Sequence, residues 1–179
     1  QMNGKTMQWM WRLSKEKKCV LTGSLIIAEN GRYYNRLIWM KPDGTFETYD
    51  KRHLFRMAKE DNYFTPGSKR IIAELNGWKI CPLICYDLRF PVWSRNKWTK
   101  NTHNTDPTNS NLTADYDVLL FIANWPERRS HPWRSLLVAR AIENQAYVTG
   151  LNRIGADGNV ITHSGDSAII NFKGETLSK

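Results

Sequence analysis

The run Val118-Leu119-Leu120-Phe121-Ile122-Ala123 is apolar at every position, with charged or polar residues on either side. It falls far short of the roughly 20 residues that span a bilayer, as does Leu25-Ile26-Ile27-Ala28, so both are core strands. A core strand needs other elements to cover it, and the rest of the chain supplies them. Asn3 to Lys18 carries Met7, Met10, Trp11 and Ser14 at helical spacing. Cys19 to Ala28 and Tyr33 to Met40 are β-rich runs joined by the hairpin turn Glu29-Asn30-Gly31-Arg32, and Pro42-Asp43-Gly44-Thr45 leads into Phe46 to Tyr49. After a loop from Arg52 to Lys69, Arg70 to Leu75 turns through Asn76-Gly77 into Trp78 to Ile84. Pro82 argues against a central place for that last strand, since proline has no N–H for a sheet ladder.

Pro91 suits the first turn of a helix through Val92, Trp93 and Trp98. Pro132 to Gln145 reads as a second long helix with Trp133, Leu136, Leu137 and Ala141 on one face. Tyr147 to Leu151 and Ser167 to Phe172 are further strands, separated by the turn Gly155-Ala156-Asp157-Gly158-Asn159. Strands alternating with hairpins and helices predict an α/β or α+β class with mixed sheets. No internal repeat is present, and 179 residues form one domain over residues 1–179. Within it Thr99 to Asp115, rich in Asn and Thr with Pro107 inside, predicts an exposed, mobile polar insertion.

The net charge of +9 raises nucleic acid or an anionic membrane as partner. The basic residues are scattered, without a nucleic-acid motif or a basic amphipathic helix, so neither partner is expected. Three cysteines make no complete disulfide framework and no apolar or arginine-rich leader opens the chain, which predicts a reducing cytoplasm. Zinc is disfavoured too, because Cys81 and Cys85 lack a paired knuckle and His53, His103, His131 and His163 are scattered.

Cys85 stands at the end of a strand, before a tight turn and a helix start, where backbone N–H groups and the helix dipole favour a thiolate. An ordinary core cysteine is the alternative, and Cys19 and Cys81 are assigned to that class. The surroundings of Cys85 favour the nucleophile. Tyr49-Asp50-Lys51-Arg52-His53-Leu54-Phe55, Cys85-Tyr86-Asp87-Leu88-Arg89-Phe90-Pro91, Asn124-Trp125-Pro126 and Ala139 to Tyr147 follow one another in the order found in the nitrilase superfamily of carbon–nitrogen hydrolases. Within it the chain most resembles the bacterial omega-amidase branch.

That resemblance implies an αββα sandwich that pairs through its helical faces as a homodimer, acting on a small-molecule amide without metal or organic cofactor. It implies a Glu–Lys–Cys triad with Lys51 as the lysine and Cys85 as the nucleophile. Glu60, ahead of Pro66-Gly67, matches a second glutamate that orients the lysine or the substrate, and Tyr86 would give its backbone N–H to the oxyanion. An omega-amidase also holds a carboxylate, for which an arginine fork is the natural partner. Arg128, with Arg129 beside it and Trp125 nearby, is assigned to substrate binding, while Asp87, Arg89, Arg140 and Glu143 are assigned to structural ion pairs around the site.

One family feature has no match. By analogy the triad glutamate precedes the lysine by about 60 to 70 residues, and Lys51 leaves no room for it. Glu16, at a charged helix end, and Glu29, in a hairpin turn, do not fit. Both termini of a longer hydrolase are therefore expected to be absent from this stretch. The alternatives carried forward are another hydrolase of the superfamily, such as a nitrilase or an N-carbamoyl amide hydrolase, and a non-catalytic binding module that retains the fold.

Overall fold

The computed structural model describes residues 2–100 and 112–179. Helix α1 (Lys5–Lys17) is followed by strands β1 (Leu21–Glu29), β2 (Arg32–Met40) and β3 (Phe46–Asp50), which form an antiparallel sheet in the order β1-β2-β3. The β1–β2 turn uses Asn30 and Gly31 at φ 49° and 73°, the left-handed pair that a two-residue hairpin requires. Then come β4 (Ala73–Leu75), β5 (Trp78–Ile84), α2 (Pro91–Ser94) and β6 (Trp98–Lys100). After residues 101–111 follow β7 (Leu112–Ala114), β8 (Val118–Ala123), α3 (Ser130–Asn144), β9 (Tyr147–Asn152), β10 (Ile154–Ala156), β11 (Thr162–Ser164), β12 (Ala168–Ile170) and β13 (Thr176–Ser178). The second sheet has the order β13-β12-β9-β8-β5-β4, with β5, β8 and β9 parallel and the outer strands antiparallel.

Strand β2 shows how the layers stack. Its C-terminal half is buried at every position because alternate side chains serve different neighbours. Ile38 and Met40 pack with Met7 and Met10 of α1, whereas Leu37 and Trp39 join the main core. On the far side, Trp133, Leu137 and Ala141 of α3 are buried over the second sheet. The approach is close at Gly150 of β9, where a Cβ would lie 2.5 Å from Leu137 Cδ1. Phe121 and Leu83, in register with Gly150, share its face, so Ile84, Ile122 and Leu151 point the other way, toward the first sheet. The layers are α1, three-stranded sheet, six-stranded sheet and α3, the expected αββα sandwich.

Several local expectations change. Pro82 lies inside the second sheet, paired in register with Leu120, but β4 reaches only Trp78–Ile80. At Pro82 one flank of β5 is therefore free of ladder bonds, which accommodates a residue with no N–H. The helix after Pro91 ends at Ser94, not beyond Trp98. Tertiary bonds replace it: the Tyr116 hydroxyl takes the Ser94 carbonyl, and Asn96 is pinned by Asn144 Oδ1 at 2.8 Å and by the Tyr116 carbonyl at 2.9 Å. Trp98 instead starts β6, which pairs with β7, so the polar insertion begins and ends as a hairpin; its middle, 101–111, lies outside the described residues. Trp11 is 47% exposed and lies against the Gly44 turn, not in the core. The turn from Gly155 belongs to the β10–β11 hairpin, whose short strands, exposed except for His163, gave no apolar signal. Among the described residues no helix is long and apolar enough to cross a membrane.

Candidate active site

Strands β5, β8 and β9 are parallel, so their C-terminal ends share one edge, the usual place for a site in an open α/β sheet. Cys85, Asn124 and Arg153 are the residues immediately after those ends, and Lys51 is the residue immediately after β3. All four line one cavity of about 610 Å³ between the sheets. Cys85 opens a single turn of 3₁₀ helix, Cys85–Arg89, and its backbone is left-handed at φ 47°. Such a conformation costs a residue with a side chain about 1–3 kcal/mol unless its surroundings impose it. In the first turn of the helix the N–H groups of Cys85 and Tyr86 have no intrahelical acceptors. The Tyr86 ring is held aside by Phe55 and Phe90, with centroids at 4.9 and 5.3 Å.

Lys51 is only 3% exposed. Its N–H bonds the Asn35 carbonyl at 2.9 Å and its carbonyl accepts the Gly67 N–H at 2.9 Å. Its Nζ donates to Glu60 Oε2 at 2.5 Å. Glu60 also receives the Phe55 N–H on Oε2 at 2.7 Å and Asn35 Nδ2 on Oε1 at 3.1 Å. Burial pushes the Glu60 carboxyl upward, but the Lys51 charge and these hydrogen bonds outweigh it and leave it below the ordinary glutamate value. Glu60 is thus an ionised acceptor whose donors hold it, suited to orient Lys51 and poorly suited to carry a proton. It is the only carboxylate on this cavity among the described residues.

The Cys85 thiol lies 4.0 Å from the Asn124 carbonyl. Burial raises its pKa, with Glu60 and Asp87 adding to the rise and Lys51 and the Asn124 contact opposing it. Burial thus works against a thiolate at Cys85, so thiolate chemistry there calls for a nearby base. The upstream glutamates do not provide one: Glu16 pairs with Lys17 on the surface and Glu29 with Arg36 at the end of β1. Cys81 is fully buried and pushed up to about 12 by burial, as suits a core residue, whereas Cys19 is exposed, contrary to its assignment.

Cys85 also lines a second cavity, of about 370 Å³, with Arg89, Arg128, Arg129, Asp157 and His163. Arg128 is exposed on the short 3₁₀ helix Glu127–Arg129 after Pro126 and has no carboxylate partner among the described residues. Arg129 lies over the Phe55 ring at 5.0 Å and Arg89 over the Trp125 ring at 5.3 Å. Arg89, assigned above to a structural ion pair, has no such pair among the described residues and faces the cavity; its position one helical turn after Cys85 was the available signal. Arg140 and Glu143 do pair, at 2.9 Å. Trp125 is 3% exposed, and its Nε1 is spent on the Arg129 carbonyl at 2.7 Å, so it offers the cavity only a ring wall. Asp157 and His163, on the β10–β11 hairpin, had no motif to reveal them.

Lys51 depends on the close approach of Gly67, where a Cβ would lie 2.1 Å from the Asp50 carbonyl oxygen. Backbone must yield there, so Gly67→Ala is expected to cost about 1–3 kcal/mol in urea denaturation. Unchanged stability would show that the loop relaxes without moving Lys51.

The carbon-nitrogen hydrolase family model matches residues 1–179. Omega-amidase YafV of Escherichia coli is 45% identical over 172 residues, covering 96% of this chain and 61% of the relative. 2-Oxoglutaramate amidase of Bacillus subtilis is 34% identical over 180 residues, covering 99% of this chain and 64% of the relative. A crystal structure from Xanthomonas campestris, of a CN-hydrolase superfamily protein with an arsenic adduct in its active site, superposes with a TM-score of 0.90 at 41% identity, over 98% of this chain and 63% of that one. The chain thus spans about three fifths of the length of these proteins. Family model, relatives and fold agree, and the chain belongs to the carbon–nitrogen hydrolase family.

Proposed function

We propose that Cys85 is the nucleophile of an amidohydrolase that cleaves linear carboxamides through a thioester and releases ammonia. Its substrates on this reading are omega-amides of dicarboxylic acids, with 2-oxoglutaramate foremost. The observation that carries the proposal is the position of Cys85 at the junction of two cavities, one holding the Lys51–Glu60 pair and the other lined by Arg89, Arg128 and Arg129. An omega-amide presents an amide at one end and a carboxylate at the other, and the two cavities match those ends. The printed names of the bacterial relatives favour the same substrates.

In the proposed reaction the thiol proton passes to a carboxylate base as sulfur attacks the amide carbon. The Lys51 ammonium and the Tyr86 N–H stabilise the oxyanion, and the base gives its proton to the departing ammonia. Water, deprotonated by the same base, then hydrolyses the thioester. Glu60 holds Lys51 in place. Glu60, the only carboxylate on this cavity among the described residues, is committed to its donors, so the described residues supply no base and we infer that they are catalytically incomplete on their own. Arg128 and Trp125 remain our assignments for the substrate's carboxylate end, now with Arg89 and Arg129. The reading also includes one hydrolase domain over 1–179, a homodimer and a reducing cytoplasm; three free cysteines suit the last of these.

The test is ammonia release from 2-oxoglutaramate, a nitrile and an N-carbamoyl amino acid. It compares residues 1–179 with the same sequence in a chain of the relatives' full length. We expect the longer chain to prefer 2-oxoglutaramate and the shorter one to be inert. Preference for either other substrate would move the protein to a different branch, and full turnover by residues 1–179 would sink the claim of incompleteness.

A further inference from the structure

Asp87 is fully buried and belongs to neither cavity, yet four donors converge on it. Its Oδ1 accepts the His53 N–H at 2.9 Å and faces His53 Nδ1 at 2.8 Å. Its Oδ2 accepts the Tyr49 hydroxyl at 2.7 Å and the Ile84 N–H at 3.1 Å. Tyr49 and His53 stand two residues either side of Lys51, and Ile84 directly precedes Cys85. One carboxylate therefore ties the segment that carries the ammonium to the turn that carries the thiol. The anchors are themselves fixed: the Tyr49 hydroxyl accepts Trp93 Nε1 at 3.0 Å and the Arg52 N–H at 3.1 Å, and the His53 ring stacks on Phe90 at 3.6 Å.

A left-handed cysteine persists only where its surroundings over-determine it. We propose that Asp87, held by Tyr49 and His53, is a positioning residue that sets the Cys85 turn against Lys51. It touches no substrate and acts through the backbone at Ile84. The inference rests on Cys85 being the reactive thiol of the proposed hydrolase.

Position and charge make opposite claims about Asp87. Its negative charge disfavours a thiolate at Cys85, so if charge were its only influence, Asp87→Asn would make the thiol more acidic and faster to alkylate. If it positions the turn, the same change draws Cys85 away from the Lys51 ammonium and slows the thiol. The experiment follows carboxamidomethylation of Cys85 by iodoacetamide, by peptide mapping from neutral to alkaline pH, in a Cys19→Ser background. Wild type, Asp87→Asn and His53→Ala are compared, with circular dichroism to verify folding.

We expect the Asp87→Asn profile to move to higher pH, with a neutral rate lower by about tenfold or more, since small misplacements at a reacting centre cost up to about a hundredfold. His53→Ala keeps the carboxylate and removes one anchor, and is expected to slow the reaction several-fold. The His53 side chain is 22% exposed, so this variant decides the matter alone if Asp87→Asn does not fold. Unchanged or faster alkylation in the folded variants overturns the positioning role. A wild-type Cys85 that resists alkylation at every pH overturns the nucleophile instead.

Discussion

Replacing Lys51 with methionine is expected to destabilise the protein by about 3–5 kcal/mol, the usual cost of removing one partner from a buried ion pair. Methionine nearly matches the volume, so the loss is electrostatic: Glu60 would keep its Phe55 and Asn35 donors but lose its counter-charge. The pH dependence should change sign as well. In the wild type the Glu60 carboxyl sits below its ordinary value of 4.5, so its contribution is present above that value and fades as pH falls through the folded pKa. Without Lys51 the largest influence opposing burial is gone, so the folded pKa is expected to rise. Where burial carries it past 4.5, the contribution is present below that value and lost as pH climbs through the raised one. Urea denaturation at neutral and mildly acidic pH reads this directly: acid should weaken the wild type and relatively strengthen Lys51→Met. Amide turnover by the full-length protein should fall by at least about a hundredfold, as when a single oxyanion donor is removed. A variant as stable as wild type, with the same acid response, would mean that the pair contributes little.

Changing Cys85 to alanine is expected to reduce turnover in the full-length protein to background, a loss on the order of 10⁴-fold or more for a covalent nucleophile. Stability should barely move, within about 1 kcal/mol, because alanine keeps the left-handed strain and removes little packing. Cys85→Gly separates strain from chemistry. Glycine adopts φ 47° without penalty, so this variant should be equally inactive yet more stable than Cys85→Ala by up to about 1 kcal/mol. Thermal melts and ammonia release on the three proteins check both halves. If Cys85→Gly is the least stable of them, the turn is held by side-chain packing and not against backbone strain.

The layers were legible because periodicity reports burial. The unbroken apolar run of β8 and the Asn-Gly turns at Asn30 and Asn76 place strands without reference to anything distant. Lys51, Glu60 and Cys85 came from motif resemblance, and the structure gathers them around one cavity. Features set by distant partners were hidden. The helix after Pro91 stops before Trp98 where Tyr116 and Asn144, far along the chain, bond the Ser94 carbonyl and the Asn96 N–H. Arg89 follows Cys85 by four residues, which hinted at a place near the thiol, but the fold was needed to show that it lines the second cavity and that Asp87 goes to His53 and Tyr49. The left-handed backbone of Cys85 was equally invisible, since cysteine carries no preference for it.

Turnover on this reading passes through a covalent bond between Cys85 and the substrate acyl group. Its direct test is acid quenching of the full-length protein during turnover of 2-oxoglutaramate, followed by peptide mapping of the trapped adduct. The expected result is a 2-oxoglutaryl thioester that fragmentation of the peptide shared by Cys81 and Cys85 places on Cys85, with Cys81 and Cys19 unmodified. Sustained turnover with Cys85 unmodified, or with the acyl group on another residue, would rule Cys85 out as the nucleophile.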